Sequence, residues 1–157
     1  MKTGIVLSLL ILILFSSCAK NIKDPEYRDI RNVRLITLGL LQSTAGADIV
    51  YYNPNKVGVL VESATGDIYV DNNLFGQFEV SDKVEVKKRS EFILPTLVKI
   101  DMASVIKNRD VYKQKQAMVR IEGTATVKKA GFSKNVPIKY ESMQDIEKFK
   151  SLVVPQQ

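Results

Sequence analysis

The chain has 157 residues, of which 45% are hydrophobic, and it carries a formal net charge of +6. A chain of this size buries enough apolar surface to fold without disulfides or metals. It contains no histidine and only one cysteine, Cys18, which excludes Ser-His-Asp and Cys-His catalysis and the ligand sets that zinc favours. We therefore expect a single-domain, non-enzymatic protein with no catalytic residues, no metal and no cofactor.

Residues 1–17 have the layout of a secretory signal peptide. Met1-Lys2-Thr3 carries one positive charge, residues 4–15 are almost wholly apolar, and two serines precede Cys18. An apolar helix of this length would reach roughly 18 Å, well short of the ~30 Å hydrocarbon core of a bilayer. A permanent transmembrane helix is therefore not expected here.

The end of this segment resembles a bacterial lipoprotein signal, in which a cysteine follows small residues. The resemblance implies that Cys18 carries a thioether-linked diacylglycerol and becomes the first residue of the mature protein. The lipoprotein pattern prefers leucine three positions before the cysteine, whereas this chain has Phe15 there and its leucine at Leu14. An ordinary cleaved signal peptide with an unmodified Cys18 remains the alternative. We expect an exported protein that is lipid-anchored to a bacterial membrane, with the periplasmic or surface face of the outer membrane favoured.

Residues 18–25 are polar and end in proline, which is typical of a tether between an anchor and a domain. Beyond them, hydrophobic alternation predicts about seven strands. The clearest alternation runs from Ala117 to Val127, where every second side chain is small or apolar. The predicted strands lie near residues 27–38, 41–52, 57–71, 74–81, 92–100, 117–127 and 136–140.

The segments between these strands carry turn and cap residues. Asn53-Pro54-Asn55 is predicted to end the second strand, Asp71-Asn72-Asn73 to form a tight hairpin, and residues 129–133 to join the last two strands. Asp101 is predicted to cap a short helix that contains Met102, Val105 and Ile106. The weak pattern from Gln144 to Leu152 fits either a second short helix or a tail.

Many short antiparallel strands separated by turns predict an all-β fold of the β-sandwich type. The order of the segments resembles the type 2 late embryogenesis abundant domain (LEA-2, or water stress and hypersensitive response domain) over roughly residues 27–142. The segments that carry the resemblance are Asn53-Pro54-Asn55 at the end of an apolar strand, residues 68–77, residues 92–100, a polar helix-like stretch, and a closing strand pair that ends near Asn135-Val136-Pro137-Ile138.

The resemblance implies an Ig/fibronectin-III-like antiparallel sandwich of seven strands with one short helix. It also implies a non-enzymatic protein linked to stress tolerance or to envelope and membrane association. Asn53, Pro54, Asn55 and Gly76 match the family motif and are interpreted as turn residues. The domain is expected over residues 26–142, with residues 143–157 forming a C-terminal tail or short helix.

Several other side chains are candidates for metal binding or catalysis. Asp67 and Asp71 are placed on one strand face with Glu62 upstream, which permits calcium binding or acid–base chemistry, but solvated strand ends commonly carry such residues. Ser81 with Lys83, and Ser104 with Lys107, can be written as Ser-Lys dyads but lie in no motif. Tyr51, Tyr52 and Tyr69 are interpreted as strand aromatics, with Tyr51 and Tyr52 on opposite faces.

The basic residues near the middle of the chain are interspersed with acidic ones, which favours a solvated strand face over a dedicated binding patch and no binding to nucleic acid. They are Lys83, Lys87, Lys88 and Arg89, among Asp82, Glu85 and Glu91. Mild attraction to an anionic membrane surface is compatible with either interpretation. The expected partners are the membrane, through the lipid anchor, and envelope proteins or lipid. The oligomeric state is left open.

The leading hypothesis is a membrane-anchored lipoprotein whose LEA-2-like sandwich is an interaction or stress-protective module of the cell envelope. The first alternative is a carrier that holds an apolar ligand, such as a lipid, between its sheets, and it requires a cavity of roughly 300–1,000 Å³. The second is a hydrolase that uses carboxylates alone, and it requires two acidic side chains that converge in a cleft.

Overall fold

The structure, a computed structural model, describes residues 22–147. It is all-β, with eight strands and one short helix, α1 (Met102–Lys107). A single 3-10 turn follows the helix at Val111–Lys113. The strands are β1 (Glu26–Thr37), β2 (Gln42–Tyr52), β3 (Val59–Val70), β4 (Asn73–Val80), β5 (Val84–Val86), β6 (Glu91–Asp101), β7 (Gln116–Lys129) and β8 (Phe132–Asp145).

All strand pairs are antiparallel, and the strands follow one another in the order β1-β2-β6-β4-β3-β7-β8, with β5 paired to β3. Strand β4 joins two halves of this sheet. On one side it pairs with β3 along its length, and on the other its residues Gly76–Glu79 pair with Leu97–Ile100 of β6. One half therefore consists of β1, β2 and β6, and the other of β3, β5, β7 and β8.

The two halves pack face to face, because strands that are not neighbours in the sheet share the same core. Near one end, Ala45 of β2 and Ile100 of β6 belong to one buried cluster with Val70 of β3 and Val119 of β7. Near the other end, Phe92 of β6 packs in a second cluster with Val61, Val86 and Val127. This arrangement confirms the predicted antiparallel sandwich with one short helix.

The helix α1 closes one end of the sandwich. Asp101 caps it as predicted, since its side-chain Oδ1 accepts a hydrogen bond from the backbone N of Ser104 at 3.0 Å. Val105 is buried in the core, whereas Ile106 points into solvent and is 64% exposed. The backbone N of Met102 also donates to the carbonyl of Leu41 at 3.1 Å, which ties the β1–β2 loop to the helix. This described helix is too short to cross a membrane.

The hairpin turns have the predicted chemistry. Asp71 (φ 45°) and Asn72 (φ 63°) form the two-residue turn between β3 and β4, and Ala130 (φ 49°) and Gly131 (φ 86°) form the one between β7 and β8. Two successive residues with positive φ are typical of type I′ turns, whose twist matches that of the flanking strands.

Two elements differ from what the sequence predicts. No pattern in the sequence predicts strand β5, because three residues are too few to display a period of two. Gln144 and Asp145 pair with Ala117 and Gln116 as the end of β8, so the second helix does not begin as early as Gln144, but the chain is helical at Glu147, where the described residues end. The remainder of that predicted segment, from residue 148 onward, lies outside the described residues.

Tyr112 provides a test of the core near α1. Its ring lies 6.2 Å from that of Phe75, and its buried hydroxyl has no hydrogen-bond partner among the described protein atoms. Burial, together with the nearby negative charge of Asp71, raises the pKa of Tyr112 to about 12. The unfolded chain ionises this phenol near pH 10, so the folded state loses stability as the pH rises from about 10 to about 12.

We expect Tyr112→Phe to leave stability near pH 8 almost unchanged, because the hydroxyl contributes no hydrogen bond. At pH 11.5 the variant should be about 1–2 kcal/mol more stable than the unsubstituted chain, after allowance for partial solvent screening. Urea unfolding at the two pH values measures this difference. An identical loss of stability at high pH in both chains would contradict the assignment.

Candidate functional site

The side chain of Asn53 joins two turns at the end of the sandwich opposite α1. Only 4% of Asn53 is exposed, and its Nδ2 donates to the carbonyls of Val57 and Lys87, both at 2.9 Å. Its Oδ1 accepts from the backbone N of Asn55 at 3.0 Å, and its own backbone N donates to the carbonyl of Ser90 at 2.9 Å. One buried amide therefore holds the β2–β3 turn against the β5–β6 turn.

Asn55 binds the chain that leads into β1. The backbone N of Lys23 donates to its Oδ1 at 2.9 Å, and its Nδ2 donates to the carbonyl of Lys23 at 2.7 Å and to Oδ1 of Asn53 at 3.0 Å. Lys23 belongs to the predicted tether, and this pair of hydrogen bonds fixes the place where the tether reaches the domain. Pro54, which has no backbone N–H, lies half-buried between the two asparagines.

The end of the molecule that contains this junction is strongly basic. We call it the tether end, and define it as Lys23 together with the turn segments 53–58, 87–90 and 128–134. The three turn segments contain no acidic residue. They contain seven basic ones, which are Lys56, Lys87, Lys88, Arg89, Lys128, Lys129 and Lys134.

Basic side chains from two of these turns line the same depression. Its volume is about 670 Å³, it is open to solvent, and Lys87 and Lys88 lie on one side with Lys128 and Lys129 on the other. Glu85 also lines it, and Glu62 forms an ion pair with Lys128 at 3.9 Å. Within residues 22–147, the other six basic residues of the tether-end turns form no ion pair within 4 Å. An anion therefore meets an excess of positive charge here, since four lysines and one glutamate line the depression.

Cys18, the predicted lipidation site, lies outside the described residues. Asn53, Pro54 and Asn55 lie in the β2–β3 turn. The turn role predicted for Gly76 is wrong, because Gly76 lies inside β4, opposite Ile68 of β3 and Ile100 of β6. A Cβ at this position would clash with the carbonyl oxygen of Lys99, so the residue is small because β6 approaches it closely.

The acidic residues considered for chemistry do not form a common site. Asp71 is in the β3–β4 turn rather than on the strand face, and its Oδ1 accepts from the backbone N of Met118 at 2.8 Å. Asp67 accepts from Gln77 at 3.1 Å, and Glu62 pairs with Lys128. No group of three or more acidic, cysteine or histidine side chains placed to hold a metal occurs between Ile22 and Glu147.

Neither Ser-Lys dyad is formed. Ser81 Oγ donates to Oε1 of Glu79 at 2.8 Å, and this hydrogen bond, followed by the hydrogen bond and charge of Lys99, lowers the pKa of the exposed Glu79 carboxyl. Ser104 instead interacts with Asn108, whose Nδ2 donates to its Oγ at 3.3 Å and to its carbonyl at 2.9 Å.

The tyrosines are strand aromatics, as interpreted. The Tyr51 ring stacks on Phe92 at 5.8 Å on the inner face, and burial raises the pKa of its phenol. Tyr52 points to the other face, where the guanidinium of Arg28 lies 5.0 Å from its ring centre. Arg120 covers Tyr69 in the same way at 4.3 Å.

The sequence did not reveal the basic end of the molecule. The sequence pattern predicts that Lys87, Lys88 and Arg89 lie on a solvated strand face, but they form the turn between β5 and β6. Alternation of sign along the chain suggested that their charge is locally compensated. The fold also places Lys87 and Lys88 beside Lys128 and Lys129, some 40 residues away in the sequence. Only the strand pairing brings these residues together.

No protein-family model matches the chain, and no curated protein matches it significantly. Its fold is similar to that of a protein from Archaeoglobus fulgidus, with 12% sequence identity and a TM-score of 0.51 over 76% of this chain and 97% of that one. It is also similar to AT1g01470 from Arabidopsis thaliana, with 13% identity and a TM-score of 0.53 over 81% of this chain and 87% of that one.

A further solved structure is described as a late embryogenesis abundant (LEA) protein, At2g46140.1. It has 15% identity and covers 92% of this chain and 86% of its own, but its TM-score of 0.37 is too low to support an argument. The likeness to the Archaeoglobus and Arabidopsis proteins, at such low identity, shows that the fold is shared.

Replacing Asn53 and replacing Asn55 should affect the stability of the protein to different extents. Asn53→Ala removes the donor to two carbonyls at a buried position, and we expect it to lower the free energy of unfolding by about 2–4 kcal/mol. Asn55→Ala is the matched variant and should cost less than about 1 kcal/mol, because its partners are more exposed. It should instead release Lys23 and speed tryptic cleavage after that residue. Equal destabilisation with unchanged cleavage would contradict these roles.

Proposed function

We propose that the chain is a membrane-anchored lipoprotein, lipidated at Cys18, whose β-sandwich is a non-enzymatic LEA-2-like module of the cell envelope. In this proposal the module mediates interactions or protects envelope components under stress. The observation that carries the proposal is the fixed entry of the chain at the tether end, where Asn55 binds Lys23 only five residues after Cys18. A lipid at Cys18 would therefore hold one defined end of a rigid domain at a membrane.

Two further observations support the LEA-2-like assignment. The ordered segments that resemble this family, from Asn53-Pro54-Asn55 to the closing strand pair, lie in the described sandwich. The fold itself is shared with proteins from an archaeon and a plant. The non-enzymatic part of the proposal is supported by the separate structural partners of the acidic and serine candidates, each of which is engaged elsewhere in the fold.

A carrier of an apolar ligand is the second candidate, and the flank between the two edge strands favours it. In their strand pairs, Tyr27 of β1 and Tyr140 of β8 lie opposite residues whose side chains face the core. The two tyrosines are nevertheless 50% and 41% exposed. Burial, followed by the charges of Asp29 and Tyr140, raises the pKa of Tyr27, so both phenols lie on this flank. The open 670 Å³ depression gives this candidate no support, since lysines line it. Lipid that co-purifies with the domain and is lost from a Tyr140→Lys variant would favour the carrier.

The anchoring itself is tested at Cys18. We expect Cys18→Ser to abolish incorporation of a fatty-acid analogue, because the thioether requires the thiol, and to leave the unprocessed chain at its full length. Ser17→Ala is the control, since it keeps a small residue before the cysteine and should preserve labelling. Labelling is followed by gel electrophoresis of the immunoprecipitated protein from bacterial cells. Unchanged labelling of Cys18→Ser would refute lipidation at this residue.

A further inference from the structure

We propose that the tether end is a docking surface for an anionic phospholipid bilayer, with the side chain of Phe132 at the lipid–water interface. The proposal rests on the anchoring proposed above, and it adds the orientation of the domain and the class of lipid it contacts. Its basis is the position of the chain entry, the charge of this end and the exposure of one aromatic side chain.

The first step concerns the length of the tether between Cys18 and the domain. Lys23 is the fifth residue after Cys18, and five residues of extended chain span at most about 18 Å. Because Lys23 is bound to Asn55, the tether cannot lengthen by peeling off the domain without breaking both hydrogen bonds. A lipid at Cys18 therefore keeps the tether end within about two Debye lengths of the headgroups at physiological salt.

The second step is the difference in charge between the two ends. The tether-end turns carry seven basic residues and no acidic one, and the acidic residues that border them, Asp24, Glu26 and Glu91, still leave this end with a net positive charge. The far end, which we define as residues 38–41, 71–72, 107–115 and 145–147, carries four basic and four acidic residues. Those are Lys107, Arg109, Lys113 and Lys115, with Asp71, Asp110, Asp145 and Glu147. Only the tether end is complementary to an anionic surface, and one lipid chain together with a polybasic patch is a recognised route to stable membrane attachment.

The third step is Phe132, which is 82% exposed at the tip of the β7–β8 hairpin. The hairpin is rigid here, because β7 and β8 pair without interruption as far as Lys129 opposite Phe132. An aromatic side chain held outside the core, with Lys129 and Lys134 on either side, fits the boundary between headgroups and acyl chains. Ile22 adds a second apolar side chain to the same end and is 72% exposed.

The far end is the competing surface, because its β1–β2 loop exposes leucines. Leu40 is 93% and Leu41 is 80% exposed. However, a strand of 12 residues such as β1 separates the two ends by about 40 Å, so a rigid sandwich cannot present both to the same membrane. The short tether selects the basic end, and the leucine loop then points away from the bilayer.

Tryptophan reporters distinguish the two ends, since the chain contains no tryptophan of its own. Phe132→Trp and Leu40→Trp are made separately in the full chain, purified with its lipid and reconstituted in vesicles. The vesicles contain phosphatidylglycerol with phosphatidylcholine, or phosphatidylcholine alone. In the anionic vesicles we expect the tryptophan at position 132 to emit at shorter wavelength and to be quenched by brominated lipid. The tryptophan at position 40 should remain exposed and unquenched.

The contribution of charge is tested by adding Lys87→Glu and Lys88→Glu to the Phe132→Trp chain. Since each basic residue near an anionic surface favours attachment severalfold, we expect the ratio of docked to undocked domains to fall by roughly tenfold or more. Lys107→Glu with Lys115→Glu is the matched control, because it makes the same change of charge at the far end. It should leave the quenching unaltered.

The results of the labelling and quenching experiments distinguish the docking surface from the lipid anchor at Cys18. Fatty-acid labelling without quenching at position 132 would refute the docking surface and leave the anchor intact. Quenching at position 132 without labelling would refute the anchor and leave the surface intact. Quenching at position 40, or equal quenching in both vesicle types, would show that the leucine loop or a charge-independent contact faces the bilayer, and either result overturns the proposal.

Discussion

The buried side chain of Asn53 is the interaction on which the organisation of the tether end depends. Because a buried amide is costly unless its donors and acceptors are all paired, its partners are held within hydrogen-bond distance. Those partners come from the β2–β3 turn and, through Lys87, from the β5–β6 turn. Asn55 extends the same network to Lys23. Two asparagines thus determine where three separate parts of the chain meet.

The functional proposal follows from this geometry. A sandwich of antiparallel strands has two ends made of turns, and turn residues are free to vary in charge without disturbing the core. In this chain one end is basic, carries an exposed phenylalanine and receives the N-terminal segment. The other is balanced in charge and carries exposed leucines. An anchored domain whose two ends differ in this way would hold its leucine loop tens of ångströms from the membrane, where partners in the envelope could reach it.

The elements with strong local signals were predictable. The alternation of β7, the Asp71-Asn72 turn and the Asp101 cap each depend on residues close together in the sequence, and each appears as predicted. Features that depend on distant pairing were not predictable. Gly76 is small because β6 approaches it closely, and no local pattern records that contact. The hydrogen bond from Asn53 to Lys87 spans 34 residues, and the basic end assembles only when β3 pairs with β5 and β7.

The central claim is that a lipid-anchored sandwich rests on the membrane with its basic end. Hydrogen–deuterium exchange of the lipidated full chain, compared between anionic and zwitterionic vesicles, tests it most directly. The account predicts that the anionic vesicles slow exchange in the turn segments around Lys87 and Gly131 and leave residues 38–41 unchanged. Slower exchange at residues 38–41, or the same exchange in the basic turns on both kinds of vesicle, would contradict it.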